Sequence, residues 1–217
     1  MLLLALVYII GRKIGAAVMY LWWVNYLAHF YLADPDPELM FGNYIGDGVR
    51  GRDLSRFSEN VQRGIRFHRF IDTFTDQHDE VTQAKSLFHE TQNKFAGVVV
   101  DVLFDHVLAN KWQQFHHADL DAFAEKCYRT VGQHLQLMPL RSARFYEYMV
   151  SRNALKNYAS AKGVEQVFMG MDSRTLYPSN MSEAVKRLEE VRPDFEMHFE
   201  RFFPQLVEAT TTWKKTN

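Results

Sequence analysis

The stretch Phe67 to Asp76 reads FHRFIDTFTD and sets His68, Asp72 and Asp76 four residues apart. At about 100° per residue, these side chains leave a helix along nearly one line. That line continues the direction of the apolar Val61 and Ile65. Two carboxylates and an imidazole therefore stand where the pattern calls for core, which is costly unless something cationic meets them. A metal ion is the cation this set suits. Asp101 and Asp105 repeat the spacing within Ala96 to Leu108, a stretch apolar on nearly every side, and His106 sits beside them. Pairing with arginines or capping of a neighbouring helix is the plain alternative for these two acids. Carboxylate and imidazole ligands without thiolate suit Mn, Mg, Fe(II) or a catalytic zinc.

Other residues are weaker on their own. Asp47 lies in Gly46-Asp47-Gly48, where flanking glycines allow close backbone approach to a ligand, but such an acid is most often a turn former. His29, in the apolar run Tyr26 to Leu32, reads as a core histidine on local pattern alone. Arg50, Arg52, Arg56, Arg63, Arg66 and Arg69 crowd the same region. They form either a solvated helix face or a basic rim suited to a phosphate or an acidic protein. Other catalytic classes find no support: there is no G-x-S-x-G elbow, P-loop, G-x-G-x-x-G or H-E-x-x-H. Cys127, the single cysteine, excludes an intramolecular disulfide and a cysteine-rich zinc site. It suits a reducing compartment, and the cytoplasm is the expected location.

The elements that must position these residues read as helices joined by short loops, with no sustained period-2 alternation. Asp36-Pro37 is a helix start, carried to about Ile45 and broken at Gly46-Asp47-Gly48. Ser58 caps the helix that bears His68 and Asp72, ending near Gln77. Further helices are expected over Glu80 to His89, Lys94 to Trp112, Asp119 to Leu137, Arg141 to Val150 and Val164 to Met171. The last, from Asn180 or Ser182 to about Lys214, is expected to be interrupted or kinked at Pro193. With 217 residues, 47% hydrophobic, the chain can bury one large core, so the expected class is all-α in a single domain. A net charge of -1 argues against a nucleic-acid binder working through bulk charge. Residues 1–23 hold two apolar runs split by Gly11-Arg12-Lys13, each too short to span a bilayer. They read as an extension or misassigned start upstream of a 24–217 domain, with membrane contact only if they are expressed.

Four blocks together resemble a known family: NYLAHFYLA from Asn25, GNYIGDGVRG from Gly42, GIRFHRFIDTFTD from Gly64 and DVLFDHVLANKW from Asp101. In order and spacing they are similar to the bacterial acyl-carrier-protein phosphodiesterases, and the likeness continues through GMDSR and FFPQL. Members usually begin with methionine where Val24 stands, in keeping with the extension. The resemblance implies a helical bundle divergent from the HD-domain phosphohydrolases and usually manganese-dependent. It also implies hydrolysis of the phosphodiester joining 4′-phosphopantetheine to serine of holo-acyl carrier protein, a small acidic partner. Asp47, His68, Asp72 and Asp105 become the expected metal ligands, with His29 and Asp101 as additional ligands or their supports. Asp76 and His106 are the expected proton-transfer groups, and Arg50, Arg66 and Arg69 the expected partner-binding residues. The chain departs from the ordinary HD pattern, since His68 is not followed by Asp and Asp105-His106 is in reversed order. The alternative is an HD-type phosphohydrolase acting on a nucleotide or other small phosphoester.

Overall fold

Asp36, Ser58, His78 and Ser160 each accept from an early backbone N–H of the helix they precede. The computed structural model describes residues 25–175 and 178–217, and the expectation for residues 1–23 lies outside them. Helix α1 spans Tyr26–Ala33 and α2 Pro37–Ile45, with Asp36 accepting from Leu39 N at 3.0 Å. A single 3-10 turn, Gly46–Gly48, follows. Ser58 accepts from Val61 N at 3.3 Å and opens α3, Glu59–Gln77. Glu38 of α2 then accepts from the Ser58 hydroxyl and the Asn60 amide, tying the two helix starts together. The remaining long helices are α4 (Asp79–Ser86), α5 (Ala96–Asn110), α6 (Leu120–Gly132), α7 (Leu140–Ser151), α8 (Ala161–Asp172) and α9 (Ala184–Thr216). No strand occurs among the described residues, and none of their helices is long and apolar enough to cross a membrane. The class is all-α.

Most expected boundaries move by a few residues, and two helices depart more plainly. The helix at Asp119 stops at Gly132 and gives way to a 3-10 turn over Leu135–Leu137. Leu135 and Leu137 are exposed there, so no buried contact rewards another helical turn. The last helix is not interrupted at Pro193; it continues through Pro193 and Pro204 to Thr216. Both prolines face solvent, where water satisfies the carbonyls their missing N–H groups release.

Helix α5 runs through the middle of one continuous core, as its all-round apolarity requires. Its Phe104 ring lies 5.0 Å from Phe195 and 5.6 Å from Phe202 of α9. The packing that matters most for the site is between α2 and α3. A Cβ on Gly42 would lie 2.2 Å from Val61 O, and one on Gly64 would lie 2.5 Å from Leu39 O. The helix backbones therefore touch at a Gly–Gly contact that no larger residue allows. One turn further along each helix, Gly46 faces His68, and a Cβ there would sit 2.4 Å from the imidazole Cγ. This close crossing carries His68 inward against the end of α2.

Candidate metal centre

Four elements converge on one point: α1 brings His29, α2 brings Asn43, the 3-10 turn brings Asp47, and α3 brings His68 and Asp72. Both histidines are buried, their ring centroids 4.5 Å apart. Asn43 Nδ2 donates to the His29 carbonyl at 2.8 Å, which turns its Oδ1 toward the two rings. That oxygen is 2.7 Å from His29 Nδ1 and 3.2 Å from His68 Nδ1. An amide oxygen only accepts, so both imidazoles carry their proton on Nδ1 and keep the Nε2 lone pair for another partner. The two Nε2 atoms point at carboxylates. His29 Nε2 is 3.3 Å from Asp72 Oδ1, and His68 Nε2 is 3.2 Å from Asp72 Oδ2 and 3.1 Å from Asp47 Oδ1.

A lone pair facing a carboxylate is repulsive unless a cation lies between them. His29 Nε2 is buried and makes no hydrogen bond. One ligand atom each from His29, His68 and Asp72 falls within 4.8 Å of the other two. Ligands about 2.0–2.2 Å from a common ion lie about 3–4 Å apart, so the set fits a divalent metal. Asn43 then does what outer partners of metal-bound histidines do, fixing tautomer and ring orientation. Without a metal, the two carboxylates favour a proton on His68 in the cation's place. Burial pulls its imidazole down, but Asp72 and then Asp47 outweigh this and hold it above the usual range. Burial pushes Asp72 up, and His68 and His29 more than reverse it, holding the carboxyl below its usual range.

The cluster opens onto a cavity of about 830 Å³, lined by Asp47, His68 and Asp72 and by Arg50, Arg52, Arg69 and Arg141. Arg69 is a builder of this cavity: its Nη2 donates to the carbonyls of Val49 and Gly51 at 3.0 and 2.9 Å, holding the loop in place. Gly51 in that loop has φ of 82°, a left-handed conformation suited to glycine. Arg66 does not line the cavity; it is exposed and 3.5 Å from Gln62 Oε1. Arg63 is taken up by the Lys214 carbonyl and Asp36. Arg141, which local sequence did not single out, reaches the rim from α7, and only the tertiary fold brings it there. Asn43 was likewise missed, since a lone asparagine in an apolar helix carries no motif.

The structure does not bring the acids of the central helix into this group. Asp105 is fully buried, and its two oxygens accept from Leu27 N and Ala28 N at 2.8 and 2.9 Å. It caps α1 from across the core, a duty that Asn25, the local N-cap, does not perform. Burial pushes the Asp105 carboxyl up to about 7 against the pull of those two N–H groups. Asp101 is also raised to about 7 by burial, and it lines a cavity of about 20 Å³ with Asn25, Thr75 and Asp105. That is room for about one water. The expected proton-transfer groups lie elsewhere. His106 Nδ1 is 2.6 Å from the Tyr158 carbonyl, and Asp76 is on the surface with Lys85 Nζ at 3.1 Å.

Residues 24–206 match the model of the acyl carrier protein phosphodiesterase family. The chain is 31% identical over 186 residues to the acyl carrier protein phosphodiesterase of Photorhabdus laumondii, covering 85% of this chain and 94% of that relative. It is 30% identical over 186 residues to the protein of the same name from Serratia proteamaculans, covering 85% and 96%. No solved structure matches the chain. The extent of the family match, with relatives aligned over nearly their whole length, shows that this chain belongs to the acyl carrier protein phosphodiesterase family.

Proposed function

We propose that the chain hydrolyses the phosphodiester joining 4′-phosphopantetheine to serine of holo-acyl carrier protein, in the cytoplasm, with a divalent metal at His29, His68, Asp72 and Asp47. The observation that carries this reading is the pair of Nε2 lone pairs, fixed by one asparagine, that meet carboxylates at the mouth of an arginine-lined cavity. The donor set of imidazole and carboxylate suits Mn²⁺, Mg²⁺, Fe²⁺ or a catalytic zinc, and the family resemblance implies Mn²⁺ among them. Such an ion supplies Lewis-acid polarisation of the phosphoryl group and a bound water of lowered pKa.

The chain's own residues supply the rest. Arg50, Arg52 and Arg141 line the cavity with positive charge and orient the phosphodiester by its anionic oxygens. Arg69 acts one step back, by holding the loop that carries Arg50 and Arg52. Asn43 keeps both imidazoles in the Nδ1–H form throughout, so neither ring needs to reorient during turnover. Asp76 and His106 lie away from the cavity, so the leaving serine oxygen takes its proton from water in the open site. The test is the mass of holo-acyl carrier protein incubated with the chain and Mn²⁺. Loss of the phosphopantetheine arm is expected, and holo-protein left intact with Mn²⁺ present would overturn the reading.

A further inference from the structure

Few large apolar side chains lie exposed on the described surface, yet three of them fall within six residues of chain. Leu135, Leu137 and Leu140 are 48%, 42% and 69% exposed. Between them Met138 packs against the core, so the segment is held in place while its leucines face outward. The segment lies beside the metal centre's cavity. A Cβ on Gly48 would meet Ser142 Oγ at 2.5 Å and Pro139 Cγ at 3.3 Å, and Tyr44 donates to the Ser142 carbonyl at 2.8 Å. Arg141, next in sequence to Leu140, lines the cavity itself. Exposed leucines thus adjoin a rim carrying Arg50, Arg52 and Arg141.

An apolar centre bordered by charge is the make-up of a protein-docking surface. The charge says what docks there: a partner whose face is acidic. Its place beside the cavity adds that the partner must present its phosphodiester at the same time. We infer that Leu135, Leu137 and Leu140, with Arg141, form the surface that seats the protein part of the substrate, an acidic domain with an apolar spot beside the modified serine. The inference rests on the phosphodiesterase reading and deepens it. The arginine-lined cavity takes the phosphodiester, and the leucine segment distinguishes a protein-borne diester from a free one.

The test is the Leu137→Ser/Leu140→Ser double variant of the full chain, checked for an unchanged melting temperature. With holo-acyl carrier protein as substrate, KM is expected to rise about tenfold while kcat stays within about twofold. Affinity for apo-acyl carrier protein, measured by calorimetry, is expected to fall by the same factor. Unchanged KM and unchanged apo-protein affinity would overturn the inference, as would a fall in kcat alone. A variant that loses only self-association on size exclusion would assign the patch to a second copy of the chain and equally overturn it. Failure of the functional reading shows separately, as a wild-type chain that leaves holo-protein intact; binding of apo-protein still reads out the docking surface in that case.

Discussion

Helix α3 carries His68 and Asp72 four residues apart, and helix α5 carries Asp101 and Asp105 at the same spacing. The first pair meets another helix's histidine and a loop aspartate, edge to edge with free lone pairs. The second pair meets the N-terminus of α1 and a space the size of about one water. Buried ionisable residues must be met by something. On α3 only a cation or a proton can meet them, whereas on α5 two backbone N–H groups already do. Spacing therefore marks where charge enters the core, and the facing element decides whether that charge is chemical or structural.

The largest effect expected from this contrast comes from removing a ligand. Asp72→Ala or His68→Ala should abolish stoichiometric Mn²⁺ binding and lower turnover of holo-acyl carrier protein by more than about 100-fold, since loss of even an outer partner typically costs 10–100-fold. Metal analysis and steady-state rates check this; a variant that keeps both would place the metal elsewhere. Asn43→Ala should weaken Mn²⁺ about 10–100-fold by freeing both histidine tautomers, as calorimetry would show. Unchanged affinity there would mean that the imidazoles orient without it.

Proton competition comes next. With its folded pKa raised by Asp72 and Asp47, His68 must give up a proton to bind metal. Affinity for Mn²⁺ should therefore fall as pH drops through the raised His68 pKa, and proton release on binding should shrink as pH rises above it. Titration in buffers of different ionisation heat separates these cases, and affinity independent of pH between 6 and 8 (a window set around the ordinary histidine pKa of about 6.5) would contradict the assignment. The smallest effect on metal belongs to Asp105→Ala. It leaves one buried and one part-buried N–H of α1 unpaired, so denaturant melts should show a loss of about 2 kcal/mol. One equivalent of Mn²⁺ should still bind. Loss of the metal with little loss of stability would return Asp105 to the ligand set.

Much of the fold was legible locally. Asp36-Pro37 and Ser58 opened the helices they were expected to open, because capping depends on residues within one turn. Pro193 does not interrupt its helix, because its cost depends on which face it occupies, and that face looks to solvent. The site was legible in part. His68 and Asp72 announced themselves as charge in an apolar line, and the family likeness drew in Asp47 and His29. Asn43 and Arg141 were not legible, and capping stood only as the plain alternative for Asp105, because each depends on which helices touch. That in turn rests on a Gly42–Gly64 contact that no periodicity reveals. Arg69 was read as a partner-binding residue, and its two bonds to loop carbonyls make it a scaffold for that loop.

The cation of this fold is expected with α3 and not with α5. Anomalous diffraction at the manganese edge, on crystals grown with Mn²⁺, tests it directly. One peak is expected, bonded by His29 Nε2, His68 Nε2 and an oxygen of Asp72. A peak bonded by Asp105 or Asp101 without the two histidines, or no peak in Mn²⁺-saturated crystals, would contradict it.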